Sequence, residues 1–328
     1  MQKPSKLFFV LLIVVLAGSC TGVKPPGGSP GELDHIRLPM GYIPNVQYAP
    51  FYAGVEEGYF ADAGLELEFD YAYETDGVAL VGANALQFSL VSGEQVPIAR
   101  AEGLPIVYVM AWYGQYPVAV IAKTEQNLQE PQDMAGKRIG LPGLFGANYV
   151  GLRALMGYAG LEEEDLTLES VGFNQVEVLA ADTSEVIVGY IANEPVQLAA
   201  QGYDLDVILV SDYLDLVSNG LITNETTLAE NPDLVRRMVS ATLKSIQFAV
   251  ENPEEAYQHC FKYIDGLKDA NQEVQMQVLA SSLALYQTDP YGYSNPQAWE
   301  NMQEVLMDMG LMKTEIDLTE AFTNEYSQ

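Results

Sequence analysis

The chain has 328 residues, 48% of them apolar, with 45 acidic side chains against 15 basic ones and a net charge of −30. That size allows one large domain or two medium lobes, and the apolar content is ample for real cores. The charge excludes nucleic-acid binding and docking on anionic lipid, which both need cationic surface, and it favours a neutral or cationic ligand over a polyanion.

The first elements form an export signal. Lys3 and Lys6 precede an apolar run over residues 7–16. That run is shorter than the about 20 residues of a bilayer span and suits a signal h-region. Leu16-Ala17-Gly18-Ser19-Cys20 follows. It resembles a lipobox with its leucine one place early, and it predicts lipidation of Cys20 and a membrane-anchored lipoprotein outside the cytoplasm. Ala17 and Ser19 also fit ordinary signal cleavage after Ser19. Residues 21–31, rich in Gly, Pro and Ser, read as a flexible spacer.

Beyond the spacer, short apolar runs alternate with helical patterns, as in parallel α/β folds. Strands are expected at 35–38, 65–71, 86–90 and 106–112, with helices at 48–63, 75–83 and 93–102. A second series has strands at 118–122, 137–141, 167–171, 186–190 and 207–210, and helices at 147–159, 175–181 and 194–201. A strand at 221–223 is expected to complete this second sheet. From Asn231-Pro232 the pattern turns to amphipathic helices, with Val235, Met238, Val239 and Leu243 at helical spacing. Two more follow, over 271–286 and from Asn295-Pro296. The domain expectation is a signal peptide over 1–19, lipidated Cys and linker over 20–34, lobe 1 over 35–114, lobe 2 over 115–225, and a helical second part of lobe 1 over 226–328. The chain would cross between lobes near 113–117 and 223–225.

Catalytic and metal motifs are not apparent. With Cys20 lipidated, Cys260 alone remains and reads as a small buried side chain. His35 and His259 have no metal-ligand spacing, and neither a phosphate loop nor a nucleophile elbow occurs. No cofactor, metal or catalytic residue is expected. The methionines of the C-terminal helices read as core filler.

Several segments resemble a known family. Pro44-Asn45, Ala49-Pro50-Phe51-Tyr52, Glu57-Gly58-Tyr59-Phe60 and Gly64-Leu65 are similar to the opening of periplasmic-type solute receptors for ABC importers. Gly103-Leu104-Pro105, Gly136-Lys137-Arg138-Ile139-Gly140, Gly143-Leu144-Phe145-Gly146 and Asn193-Glu194-Pro195 continue the likeness in order. The branch it looks most like handles thiamine-pyrimidine precursors and riboflavin. The resemblance implies an α/β, two-lobed periplasmic binding protein fold of type II, with two chain crossings and C-terminal helices on lobe 1. It implies a monomeric receptor that passes its ligand to a membrane permease. The likeness extends to the pyrimidine synthase of thiamine biosynthesis, whose His, Lys and cysteine run would fall near Gln95, Val91 and residues 213–217. None of those side chains is present there, so a non-enzyme is expected. Alkanesulfonate and taurine receptors share the scaffold and are the alternative.

A flat heteroaromatic ligand needs rings to stack on and polar groups at its edges. Open α/β sheets bind ligands at strand C-terminal ends. Trp112 and Tyr113 fall there in lobe 1, as cleft rings or hinge packing. Tyr190 falls there in lobe 2, in a segment that by the resemblance presents ligand contacts with Asn193. Tyr48 lies at the first helix start, as a cleft ring or a core Tyr. The loop containing Phe145, Gly146 and Tyr149 either offers free N–H groups to a ligand or is a plain turn. Glu194 either starts its helix or meets a ligand donor, and Glu94 after Ser92-Gly93 is a similar case. Asn45 and Asn219 read ring edges or serve turns.

Overall fold

The computed structural model describes residues 33–71 and 73–327. Cys20, the signal and the linker lie outside them, apart from the linker's last two residues, 33 and 34. The described chain is ten strands and thirteen α-helices in two lobes. In chain order the first elements are β1 (Asp34–Pro39), α1 (Ala49–Glu56), α2 (Tyr59–Asp62), β2 (Leu65–Asp70), α3 (Glu74–Gly82), β3 (Ser89–Val91), α4 (Gln95–Ala101) and β4 (Ile106–Ala111). Then come β5 (Val118–Lys123), β6 (Arg138–Leu141), α5 (Gly146–Ala159), β7 (Thr167–Ser170), α6 (Gln175–Ala180), β8 (Val186–Tyr190), α7 (Glu194–Ala200) and β9 (Leu205–Leu209). The last are β10 (Gly220–Asn224), α8 (Glu225–Glu230), α9 (Pro232–Glu251), α10 (Pro253–Cys260), α11 (Gln272–Leu285), α12 (Pro296–Asp308) and α13 (Leu318–Ala321).

The two lobes repeat one plan. The second-lobe sheet runs β7-β6-β8-β5-β9, with β6 parallel to its neighbours and β5 antiparallel to both of its own. In the first lobe β1 pairs in parallel with β2, and β10 lies antiparallel between β3 and β4. Ser89 Oγ, on β3, donates to the Pro39 carbonyl at the end of β1, so the two groups of strands sit side by side. In each lobe the one antiparallel strand is the one that carries the chain across.

One strand is placed differently from the sequence expectation. Residues 221–223 belong to β10 and pair with β3 and β4 of the first lobe. The return crossing therefore spans 210–219, not 223–225. Leu221, Ile222 and Thr223 are all buried, and a short run buried on both faces carries no sign of which sheet it joins. The expected helix over 48–63 is three pieces. Val46–Tyr48 is a 3-10 turn capped by Asn45 Oδ1, which accepts the Gln47 N–H at 3.0 Å, and Gly58, at φ +77°, separates α1 from α2.

The helix α9 buries Leu234, Val235, Met238, Val239 and Ile246 in one cluster with Ile36, Phe51 and Phe60 of the first lobe. The helix α12 packs on the first lobe as expected and also reaches the second. Its Trp299 lies edge-on to Tyr108 of β4 at 5.2 Å, while the same helix contacts α5 of the second lobe. Cys260 is buried and unpaired, and burial pushes its thiol pKa up to about 12. Among the described residues no helix is long and apolar enough to cross a membrane.

Candidate functional site

Strand C-terminal ends of both lobes face one cleft. At its floor the two crossings are hydrogen bonded to each other: Trp112 and Tyr113 donate their backbone N–H groups to the Asn219 carbonyl at 2.8 and 3.1 Å. Above them three rings form a stack. Trp112 lies 4.4 Å from Tyr113 and 5.1 Å from Tyr48, with interplanar angles of 16° and 12°. Tyr190 enters from the second lobe, edge-on to Tyr113, and its hydroxyl donates to Asn219 Oδ1 at 3.2 Å.

The cleft mouth is also aromatic. Tyr42 meets Phe173 edge-on at 4.7 Å, and Tyr73 lies 6.1 Å from Phe145 and 6.5 Å from Phe173. Tyr42 and Tyr73 follow β1 and β2, and Phe145 and Phe173 precede α5 and α6, so each pair bridges the lobes. The space enclosed is about 120 Å³, close to the ~150 Å³ that holds one benzene. The four mouth rings are already part of its wall, so a larger ligand requires the lobes to move apart.

Polar groups are few and lack counter-charge. The wall includes Gln47, Glu74, Ser92, Gln95, Asn148, Gln175, Asn193, Glu194 and Asn219, and no Lys, Arg, His or Cys among the described residues. Glu194 Oε2 accepts the Tyr190 N–H at 2.7 Å and Oε1 accepts Asn193 Nδ2 at 2.8 Å. Burial raises its pKa, against the pull of those bonds. Gly189 makes room for it: a Cβ there would lie 2.6 Å from Glu194 Oε2. Gln47 Nε2 and Asn148 Oδ1 are buried and have no hydrogen-bond partner among the described residues. Such orphans are costly unless a ligand or water meets them.

Of the residues singled out from the sequence, Tyr48, Trp112, Tyr113, Phe145, Gly146, Tyr190, Asn193, Glu194 and Asn219 stand on the cavity wall. Three do not. The Asn45 side chain caps the turn before α1. Tyr149, three residues into α5, turns away, and its hydroxyl bonds Glu163 and accepts from Arg153 at 3.0 Å. Glu94 is fully buried behind Ser92, one layer off the wall. The sequence reading missed Tyr42, Tyr73, Glu74, Ser92 and Phe173. The strand-end rule applied to Trp112 and Tyr190 also points to Tyr42 after β1, Ser92 after β3 and Phe173 after β7.

A sequence profile described as NMT1/THI5 like matches residues 45–256. The chain belongs to the NMT1/THI5-like family. Within it, the chain is similar to the riboflavin-binding protein RibY of Chloroflexus aurantiacus, 34% identical over 99% of this chain and 98% of that one. It is 27% identical to the formylaminopyrimidine-binding protein of Halalkalibacterium halodurans, over 92% of each. A more distant relative is the 4-amino-5-hydroxymethyl-2-methylpyrimidine phosphate synthase of Legionella pneumophila, at 23% over 68% of this chain and 72% of that one. The fold is that of periplasmic binding proteins. The aliphatic sulphonate binding protein SsuA of Escherichia coli superimposes with a TM-score of 0.71 at 9% identity, over 89% of this chain and 92% of that one.

Proposed function

We propose that this NMT1/THI5-like protein is the lipid-anchored, monomeric receptor of an ABC importer. It captures a flat heteroaromatic vitamin or precursor, riboflavin or a thiamine pyrimidine, between its lobes and delivers it to the permease. The observation that carries this reading is the cleft itself. A stack of Tyr48, Trp112 and Tyr113 faces a few amide and carboxyl groups in an enclosed, aromatic-lipped space. Rings stack on rings, and the orphaned polar atoms read a ring's edge. The relatives whose names give riboflavin and formylaminopyrimidine as ligands point the same way.

The sulfonate alternative fits less well. A sulfonate wants cationic or clustered N–H donors, while this wall carries carboxyl groups and no cation among the described residues. The synthase reading fits less well still. It needs an amine or imidazole in the cavity, and Val91 and Gln95 occupy those places on the wall. Thermal-shift titration against riboflavin, 4-amino-5-hydroxymethyl-2-methylpyrimidine and taurine tests the proposal. A ligand at 100 times its Kd should stabilise by about 2.7 kcal/mol. A response to taurine alone would overturn the heteroaromatic reading.

A further inference from the structure

Ser92 holds two carboxyl groups at once. Its Oγ lies at hydrogen-bond distance from Glu74 Oε2, and 2.5 Å from Glu94 Oε1. A serine hydroxyl has one proton to donate and a carboxylate has none. Both contacts are therefore satisfied only if one of the two carboxyls is protonated and donates to Oγ. Glu94 is fully buried and Glu74 stands on the cavity wall. No cation neutralises the pair among the described residues; Tyr48, Tyr116 and Tyr190 face it, and all are phenols. Gln95 Nε2 donates to Glu94 Oε1 at 3.2 Å.

The position of Glu74 is built. It starts α3, and Gly41, at φ +77°, comes against its stem, where a Cβ would lie 2.6 Å from Glu74 Cγ. With Oε2 committed to Ser92, Oε1 remains an acceptor in either protonation state. Burial and the neighbouring Glu94 raise the Glu74 pKa to about 8, in keeping with a shared proton. Gln47 Nε2 is a second, unpartnered polar group on the same wall, 95% buried by its 5% exposure.

We propose that Glu74 reads the edge of the ligand by accepting a hydrogen bond from an N–H of its nitrogen heterocycle, with the proton moving along Glu94, Ser92 and Glu74 to suit the ligand. With the proton on Glu94, Glu74 faces the ligand as an anion and suits an amino or protonated ring edge. With the proton on Glu74, a neutral acid suits an imide edge. This rests on the heteroaromatic reading above. Aminopyrimidines and flavins both offer the required N–H, and the experiment separates them.

Calorimetry of the purified protein, Glu74→Leu and Ser92→Ala uses two ligand pairs: 4-amino-2-methylpyrimidine with its 4-dimethylamino analogue, and riboflavin with 3-methylriboflavin. For whichever parent binds, the wild type should prefer it over the N-methylated partner by roughly tenfold or more, because a buried acceptor is left unpaired. Glu74→Leu, which leaves no acceptor at the edge, should bring that preference close to one. Ser92→Ala, which keeps Glu74 and removes the bridge, should keep the preference and alter the pH dependence of binding. Equal affinity for parent and methylated ligand, or a preference unchanged in Glu74→Leu, overturns the role of Glu74 and leaves the receptor assignment standing. An unaltered pH dependence in Ser92→Ala overturns the relay. Failure of both parents to bind the wild type instead overturns the heteroaromatic reading.

Discussion

Trp112 donates its backbone N–H to the carbonyl of Asn219 at 2.8 Å, so the outgoing and returning crossings are tied together beneath the ring stack. The Trp112 ring sits on that tie between Tyr48 and Tyr113. The ring stack of the cleft and the tie between the crossings are thus one piece of structure. Closure of the lobes about this point is a hinge motion of the kind expected around a ligand.

Trp112→Ala should cost stability as well as affinity. The ring is 5% exposed and belongs to the first-lobe core. Removing it leaves a cavity worth about 3–5 kcal/mol. Trp112→Phe should keep most of the stability and still weaken binding. Urea melts beside calorimetry check this. If Trp112→Ala binds and melts like the wild type, the stack is not the ligand surface.

Phe173→Ala tests the lips. Phe173 is 40% exposed, so the fold should survive. Its loss removes the Tyr42 contact across the cleft mouth, a pair worth about 0.5–1.5 kcal/mol. The bound ligand should therefore leave about two- to tenfold faster, with association little changed. Stopped-flow fluorescence reads both rates, and an unchanged dissociation rate would show that the lips do not hold the closed form.

The cleft was partly legible in the sequence, for identifiable reasons. Aromatic residues at strand ends, such as Trp112 and Tyr190, follow from the alternation of strand and helix. Asn45 and Tyr149 misled because a side chain's direction within a turn or helix depends on a rotation that the sequence pattern does not fix. Tyr149 lies one residue past Asn148, yet that step of about 100° around α5 takes it from the cleft to Glu163 and Arg153. Glu74 was missed because its partner Ser92 is 18 residues away, and such pairs leave no local spacing. The partner strands of β10 were hidden for the same reason. Residues 221–223 pair with residues more than 100 positions earlier.

Gly189→Ala should impair binding without touching a ligand-facing side chain. The added Cβ would meet Glu194 Oε2 at 2.6 Å and push the carboxylate off the Tyr190 N–H. Glu194→Gln should act in parallel, because an amide cannot accept through both oxygens from Tyr190 and Asn193. Each should lose at least several-fold in affinity, since charge-assisted bonds give way to weaker ones. Full affinity in both variants would confine Glu194 to starting its helix.

Cys20→Ala should release the protein from membranes without changing its melting temperature, because the Gly/Pro-rich stretch 21–31 separates the anchor from the folded part. Fractionation of cells expressing the wild type and the variant reads this. Wild-type protein found free in the soluble fraction would remove the anchor from the proposal.

The unliganded protein should lose stability as pH rises from about 5 to about 8. Glu74 has an ordinary pKa of 4.5, raised in the fold to about 8 by burial and by Glu94, and Glu94 is raised by burial too. Between those values the folded state binds more protons than the unfolded chain. Stability then falls with pH, opposite to the behaviour of a salt-bridged carboxylate. The contribution is fully present below the unfolded value and lost as pH passes the folded one. Glu74→Gln removes the shared proton and should flatten the profile in this range. A ligand that donates an N–H to Glu74 should oppose the fall, because it stabilises the ionised pair. Thermal melts at pH 5, 6, 7 and 8, with and without riboflavin or 4-amino-2-methylpyrimidine, measure all three. A wild-type profile no steeper than that of Glu74→Gln would mean the pair does not hold its proton in the fold.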